Sequence, residues 1–353
     1  MTTHMKPVVV MVPGDLHLTG PDQDNVAIAH RVVDQANDVV RPDFVQFIGD
    51  NVQDALPEQF RLLDSIRGRL SVPHYCLAGD HDVKDDPTAG RFRRALGEAW
   101  GSTSIRGFRF IRLATQEARP VGFSSEQLAW LADQFEIAAS ANERVVVFQH
   151  HYPYQIWEDF NGPGVDVWRA IVRRRRIEAI ICGHTHYWQV ANDGWNVMVA
   201  VRSIGDPEGG PPGYGLFYFH GDDLAASYRP VEDTSPIVLI VHPRDRLLAH
   251  AGRHVVKGED QVVVKTFSIV EVSRVEGRID GGSWFNLEPT GDDHWSGPIP
   301  GDKLDKGEHL LEARARDRDD AIGIGRIEFL VDHTGRFTAV PEARPRVTST
   351  AFC

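Results

Sequence analysis

The sequence predicts a layered α/β region followed by an all-β region, and three observations carry that reading. Five short, β-branched apolar runs each end in a cluster of polar residues; helical patterns separate them; and beyond about residue 236 the helical signals stop while strand signals continue. Alternation of strand and helix at this spacing builds a layered α/β core. A length of 353 residues leaves room for two or three domains, each with its own core.

The first run is Val8–Val12, before Gly14-Asp15-Leu16-His17. The second is Phe44–Ile48, before Gly49-Asp50, and the third Tyr75–Ala78, before Gly79-Asp80-His81-Asp82. Val145–Phe148 precedes His150-His151, and Ala179–Cys182 precedes Gly183-His184-Thr185-His186. Runs this short suit buried strands. Between them, Val26–Val40 has apolar residues at helical spacing, and Pro57–Ile66 opens with proline at a first helical position. Ser124-x-x-Gln127 reads as a capping box for a helix reaching about Ala139. In open α/β sheets ligands gather at the carboxyl ends of strands, where each polar cluster falls.

After Gly183 the pattern changes to Trp188–Ala191, a turn at Asn192-Asp193-Gly194, Trp195–Val201, Gly215–His220 and Ala225–Tyr228, expected to complete a second sheet. From Pro236 the runs Ile237–His242, Gln261–Phe267, Ile269–Ile279, His309–Asp317 and Ile324–Val331 suggest a β-sandwich. The expected division is 1–233 for the α/β region, 234–334 for the sandwich, and 335–353 for an extended or disordered tail.

Composition narrows the function. With 38 Lys and Arg against 50 Asp and Glu, the net charge of −12 disfavours broad binding to nucleic-acid phosphates, unless bound cations reverse the local sign. No apolar run approaches the ~20 residues of a membrane helix, and Met1–Pro7 lacks a signal-peptide pattern, so a cytoplasmic protein is expected. Cys76, Cys182 and Cys353 are odd in number and far apart, giving neither a disulfide framework nor a zinc spacing.

The polar clusters carry the chemistry. Asp15 and His17 stand two apart, the spacing that places side chains on one side of an extended segment. Asp50, Asp80, His150, His184 and His186 would reach the same sheet edge from other strands. Carboxylates mixed with imidazoles suit Mn, Fe, Zn or Co. Seven such residues exceed one four-coordinate ion and suit two ions sharing a carboxylate, an arrangement that activates water and clamps the oxygens of a phosphoryl transfer.

The ordered blocks Asp15-x-His17, Gly49-Asp50, Gly79-Asp80-His81-Asp82, His150-His151 and Gly183-His184-x-His186 resemble the calcineurin-like metallophosphoesterase family over roughly residues 7–230. Within it, Gly49-Asp50-x-x-Gln53-Asp54 and the His150-His151 pair before Pro153 are most similar to the bacterial cyclic-nucleotide phosphodiesterase-like branch. The resemblance implies a four-layer α/β/β/α sandwich and two divalent or mixed-valence ions. It implies that Asp15, His17 and His186 hold the first ion, that Asp50 bridges, and that Asp80, His150 and His184 hold the second. It further implies a bridging hydroxide as nucleophile, with His81 donating a proton to the leaving group or holding a phosphoryl oxygen. The family has Asn where this chain has Asp80, and a carboxylate cannot donate as an amide does. The site is then one unit less positive, which implies weaker capture of anions and a preference for a trivalent ion at the second position.

Other residues keep two readings. Asp82 and Asp54 could orient His81 or serve as caps; His151 suits a supporting or substrate-facing role better than a ligand. Tyr152–Asp166, with Tyr154, Trp157 and Phe160, reads as a substrate-stacking lid or as packing. Gly205–Gly215 reads as a long turn at the site rim, Arg173–Arg176 as a solvated helix end, and Trp284 and Trp295 as sandwich residues. The last domain resembles an immunoglobulin- or fibronectin-like sandwich, expected to serve oligomerisation, as in a homo-oligomer, or closure over substrate. The expected function is hydrolysis of a small or nucleotide-like phosphodiester. The alternatives are a phosphomonoesterase of the same mechanism, or a metal-binding scaffold that has lost catalysis.

Overall fold

The computed structural model describes residues 6–86, 88–117, 121–153, 160–175 and 177–344. The chain opens with β1 (Val8–Pro13), α1 (Asp24–Gln35), β2 (Phe44–Phe47), α2 (Pro57–Arg67), β3 (His74–Cys76) and α3 (Gly90–Leu96). It continues with β4 (Gly101–Ile105), β5 (Phe108–Leu113), α4 (Ser125–Ser140), β6 (Arg144–Gln149), α5 (Val165–Arg174) and β7 (Ile177–Cys182). Four strands complete this region: β8 (Gln189–Asn192), β9 (Val197–Ala200), β10 (Gly213–His220) and β11 (Asp223–Pro230).

These strands form two sheets, one of five strands in the order β11-β10-β1-β2-β3, and one of seven that runs β8-β9-β7-β6-β5-β4 and ends on a tail strand. The strands that carry the polar clusters, β1, β2 and β3 in one sheet and β6 and β7 in the other, run parallel. Residues of β1 alternate: Val8, Val10 and Val12 pack between the sheets against Phe110, Phe148 and Ile181, while Val9 and Met11 pack toward α1 and α2. Burial on both faces is why the runs are continuously apolar. Each such side chain contributes about 1.5–3 kcal/mol by leaving water. On the second sheet, Leu131, Phe135, Trp168 and Val172 from α4 and α5 pack over Ile111, Val147 and Ile180.

Two expectations need correction here, and one hairpin is added. The strands after Gly183 do not all join the second sheet: β8 and β9 do, but β10 returns antiparallel to β1, with Val8 opposite Phe219. Its reason is again two-faced burial, with Phe217 and Phe219 turned between the sheets and Leu216 and Tyr218 toward the helices. The β4–β5 hairpin was not foreseen, because Arg109 and Arg112 interrupt its apolar pattern. The capping box is half used: Ser124 Oγ accepts from Gln127 N (3.1 Å), but the Gln127 amide turns away to bond both backbone groups of Ala114. That pair fixes the end of β5 beside the polar clusters.

The remaining strands are β12 (Ile237–His242), β13 (Glu259–Phe267), β14 (Val272–Ile279), β15 (Phe285–Gly291), β16 (His294–Pro300), β17 (Gly307–Asp317), β18 (Ile322–Val331) and β19 (Glu342–Arg344). The region is all-β as expected. Its strands follow one continuous order, β12-β13-β16-β15-β14-β17-β18, in place of two facing sheets. The ends of that order meet: a side chain on Gly323 would overlap the Pro236 carbonyl, and one on Gly325 would press on that of Val238. The sheet is therefore curled into a nearly closed barrel around Val262, Val264, Leu311 and Phe329. β12 belongs to two cores, sending Val238 and Ile240 into the barrel and Ile237, Leu239 and Val241 into the helix side of the five-stranded sheet.

Part of the expected loose tail is ordered. β19 pairs antiparallel with β8, and Arg246 binds Glu342 (2.6 Å) and Glu328 (3.2 Å) while Arg344 binds Glu328 (2.7 Å). Residues 345–353, including Cys353, lie outside the described residues. Cys76 and Cys182 are buried free thiols. Trp295 packs against the barrel core, and the guanidiniums of Arg278 and Arg314 both lie over the Trp284 ring. Arg173 and Arg174 end α5, where cations favour the helix dipole.

Candidate metal centre

The polar clusters sit on sharply turned backbone. Asp15, His17, Asp50, His184 and His186 all have positive φ, at 48°, 49°, 48°, 68° and 60°. A non-glycine residue in this region costs about 1–2 kcal/mol, so five together mark a site held by its surroundings. The holding bonds are visible: Asp15 N donates to Gly49 O (3.2 Å), His17 N to Asp50 O (3.0 Å) and Gly183 N to His150 O (3.0 Å). Gly49 and Gly79 are required by proximity, since a side chain on the first would strike the His150 ring and on the second the Asp50 carboxylate.

All seven expected ligands come together, in two groups. Asp15, His17 and His186 form one; Asp50, Asp80, His150 and His184 form the other; Asp50 also joins His17 and His81 in a third overlapping set. His17 Nε2 is 3.2 Å from His186 Nε2, and His150 Nε2 is 3.4 Å from both Asp50 Oδ2 and Asp80 Oδ1. His184 Nδ1 is 3.2 Å from Asp80 Oδ1. Two ligands each about 2.1 Å from a shared tetrahedral ion stand about 3.4 Å apart, so these spacings fit ions between them. Donor orientation agrees. His150 Nδ1 donates to the Ile48 carbonyl (2.9 Å), which leaves Nε2 facing the cluster. Asp15 Oδ2, Asp80 Oδ1 and His150 Nε2 are buried without an aligned hydrogen bond. Buried polar atoms in that condition are costly unless an ion or water satisfies them.

The electrostatics describe a cluster short of positive charge. Burial holds Asp15 above the usual carboxylate range and pushes His17 below the usual imidazole range. Burial alone would lower His150, but Asp50, Asp80 and Asp15 outweigh it and raise it well above normal. Burial would likewise raise Asp80, yet its contacts to His150 and His184 hold it below the ordinary range.

His81 lies at the edge of the cluster, its side chain 30% exposed, with Nε2 3.9 Å from Asp80 Oδ2. Its Nδ1 donates to the Gln53 carbonyl (2.9 Å), not to Asp82 or Asp54. Asp82 is fully buried and accepts from Gly79 N (2.9 Å), Asn51 Nδ2 (2.8 Å) and Val52 N (3.0 Å), tying together the loops that present Asp50 and Asp80. Of the two readings kept for Asp82, these bonds support the capping one, since its acceptor positions are taken by backbone and amide donors and not by His81; burial, then Asp50, pushes it up to about 7. Asp54 pairs with Lys84 (2.7 Å).

His151 is buried, with Nδ1 2.7 Å from Thr115 Oγ1 and Nε2 3.9 Å from Asp80 Oδ1, which fits a supporting or substrate-facing place better than a ligand. Tyr154 and Trp157 lie outside the described residues. The long turn does reach the rim, where Glu208 N donates to His186 O (3.0 Å) and Asp206 Oδ2 stands 3.7 Å from His186 Nδ1. Gln53, Thr115 and Asp206 were missed as site residues; only Gln53, three positions after Asp50, had a sequence signal.

Fold and site together define a metal-dependent phosphoester hydrolase. The model of the calcineurin-like phosphoesterase family matches residues 8–188, about half the chain, and the chain belongs to that family, one that binds two metal ions. The human tartrate-resistant acid phosphatase type 5 is 25% identical over 252 residues, covering 58% of this chain and 76% of that protein. The probable glycerophosphodiester phosphodiesterase of Arcobacter nitrofigilis is 28% identical over 180 residues, covering 46% of this chain and 63% of the relative. Among solved structures, a dimetal phosphatase from Danio rerio superposes with a TM-score of 0.52 at 16% identity, over 64% of this chain and 97% of that one, a likeness of fold.

Proposed function

We propose that the chain is a two-metal phosphodiesterase acting on a small or nucleotide-like diester, in which Asp15, His17 and His186 hold one ion, Asp80, His150 and His184 the other, and Asp50 both. The carrying observation is the pair of inward-facing donor groups joined at Asp50, with His81 beside them. Oxygen and imidazole donors suit Mn, Fe, Zn or Co. When bound, two such ions supply positive charge to phosphoryl oxygens and acidify a water. The chain's own residues do the rest. His81, with Nδ1–H donated to a carbonyl, has Nε2 open to the site, and as the imidazolium, with a second hydrogen on Nε2, it can give that proton to the leaving oxygen and return to the Nδ1–H neutral ring.

Both phosphatases and phosphodiesterases are among the relatives, and Asp80 favours the second. Its Oδ2 points to the His81 side and its side chain is 38% exposed, which leaves a carboxylate charge at the substrate face. A dianionic monoester meets more repulsion there than a monoanionic diester. With Mn²⁺ added, bis-p-nitrophenyl phosphate should therefore be turned over with higher kcat/KM than p-nitrophenyl phosphate. Asp80→Asn should shift that ratio toward the monoester about tenfold, the effect of one nearby unit charge in a partly solvated site. A wild type faster on the monoester would establish the phosphatase reading; no metal-dependent turnover of either ester would leave a binding scaffold.

For architecture we read residues 1–233 as four layers, supported by separate apolar clusters between the sheets and beneath each helix set. Association of copies through the barrel stays part of the proposal. Among the described residues no helix is long and apolar enough to cross a membrane.

A further inference from the structure

We infer that Gln53 is a positioning residue that sets the ring tautomer of two site histidines at once and, through His17, the affinity of the first metal group. The inference rests on the metal-site reading above. His17 Nδ1 donates to Gln53 Oε1 (2.9 Å), and His81 Nδ1 donates to the backbone carbonyl of the same residue (2.9 Å). A carbonyl oxygen only accepts, so each ring carries its hydrogen on Nδ1 and turns Nε2 the other way. For His17 that direction is the donor cluster, 3.2 Å from His186 Nε2 and 3.9 Å from Asp50 Oδ2. For His81 it is the open side beside Asp80.

Gln53 can do this because it is itself fixed. Its N–H donates to Leu18 O (3.0 Å), and Leu18 N donates to Asn51 O (3.2 Å), a rung between the loop after β1 and the loop after β2. The two rings meet edge to face at 4.7 Å, both tied to the same residue. Were its amide turned over, the NH₂ would donate to His17 Nδ1 and force the hydrogen onto Nε2, closing that ligand position. Hydrogen-bond partners of this kind typically change metal affinity 10–100-fold.

Gln53→Leu removes the acceptor and keeps the backbone carbonyl that holds His81; Gln53→Glu keeps an acceptor. Metal-free full-length protein would be titrated with Mn²⁺ and Zn²⁺ against a competing chelator. In the Leu variant one of two ions should weaken at least tenfold and the other stay within about threefold, while the Glu variant binds at least as tightly as wild type. Ring ¹⁵N spectra of the metal-free protein should show His17 as the Nδ1–H tautomer in wild type and as a mixture in the Leu variant. Saturating Mn²⁺ should return kcat of the Leu variant to near wild type. A Leu variant in which neither ion weakens or both weaken alike relative to wild type, or a wild-type His17 with its hydrogen on Nε2, overturns the inference alone. A wild type that takes up neither metal overturns the reading of the site and this inference with it.

Discussion

His81 exchanges protons through one nitrogen only, because the other is bound to the Gln53 carbonyl. Replacing it by Ala should lower kcat about 10²–10⁴-fold on esters with alkoxide leaving groups, and far less on p-nitrophenyl esters, whose leaving group needs no proton. Metal content, read by mass spectrometry, should be unchanged; its loss would make His81 a ligand instead. At this scale the seven proposed ligands were legible, since each is a polar residue placed just after an apolar run that can only be a buried strand. Asp82 kept two readings in sequence, orienting His81 or capping, and the sequence could not choose between them although it stands next to His81. Its partners are donors of the loops around Asp50 and Gly79, and no local pattern tells a carboxylate that binds another loop from one that orients its neighbour. Gln53 stood in a legible block, three positions after Asp50, but nothing local says that its amide meets His17, a residue from another loop.

At the scale of elements, strands buried on both faces and the alternating half-buried strands β13, β14, β17 and β18 announced themselves, and strands interrupted by proline or glycine did not. β15 and β16 carry Pro289, Pro298 and Pro300 with Gly291 and Gly297, so they read as loop, yet they lie in the middle of the barrel order. β19 is three residues long and owes its place to β8 and to Arg246, both remote in sequence. Barrel closure depends on contact between β18 and the start of β12. Gly323→Val should therefore part these strands and cost about 1–3 kcal/mol, measured by urea unfolding. A stability equal to wild type would mean that the ends of the barrel do not need to touch.

Across the whole molecule, an acidic chain becomes hospitable to an anion in one place, where carboxylates of the donor groups are proposed to hold cations. Charge also joins its two parts. His242 binds Asp223 on β11 (3.0 Å) and Asp260 on β13 (3.1 Å). Burial alone would lower its pKa, but the two carboxylates outweigh burial and raise it to about 10. A group raised above its ordinary value of about 6.5 contributes in full below pH 6.5 and loses that contribution as pH rises through 10. The stability difference between wild type and His242→Gln in urea should thus be greatest near pH 6 and fade by about pH 10; a difference independent of pH would show that the imidazolium charge is not what binds the parts. The deeper join is β12, whose odd residues complete one core and whose even residues complete the other. The chain consequently has no natural cleavage plane. Cut before Pro236, the α/β region would expose the apolar flank that Ile237, Leu239 and Val241 now cover, so damage to the barrel reaches directly into the core of the five-stranded sheet.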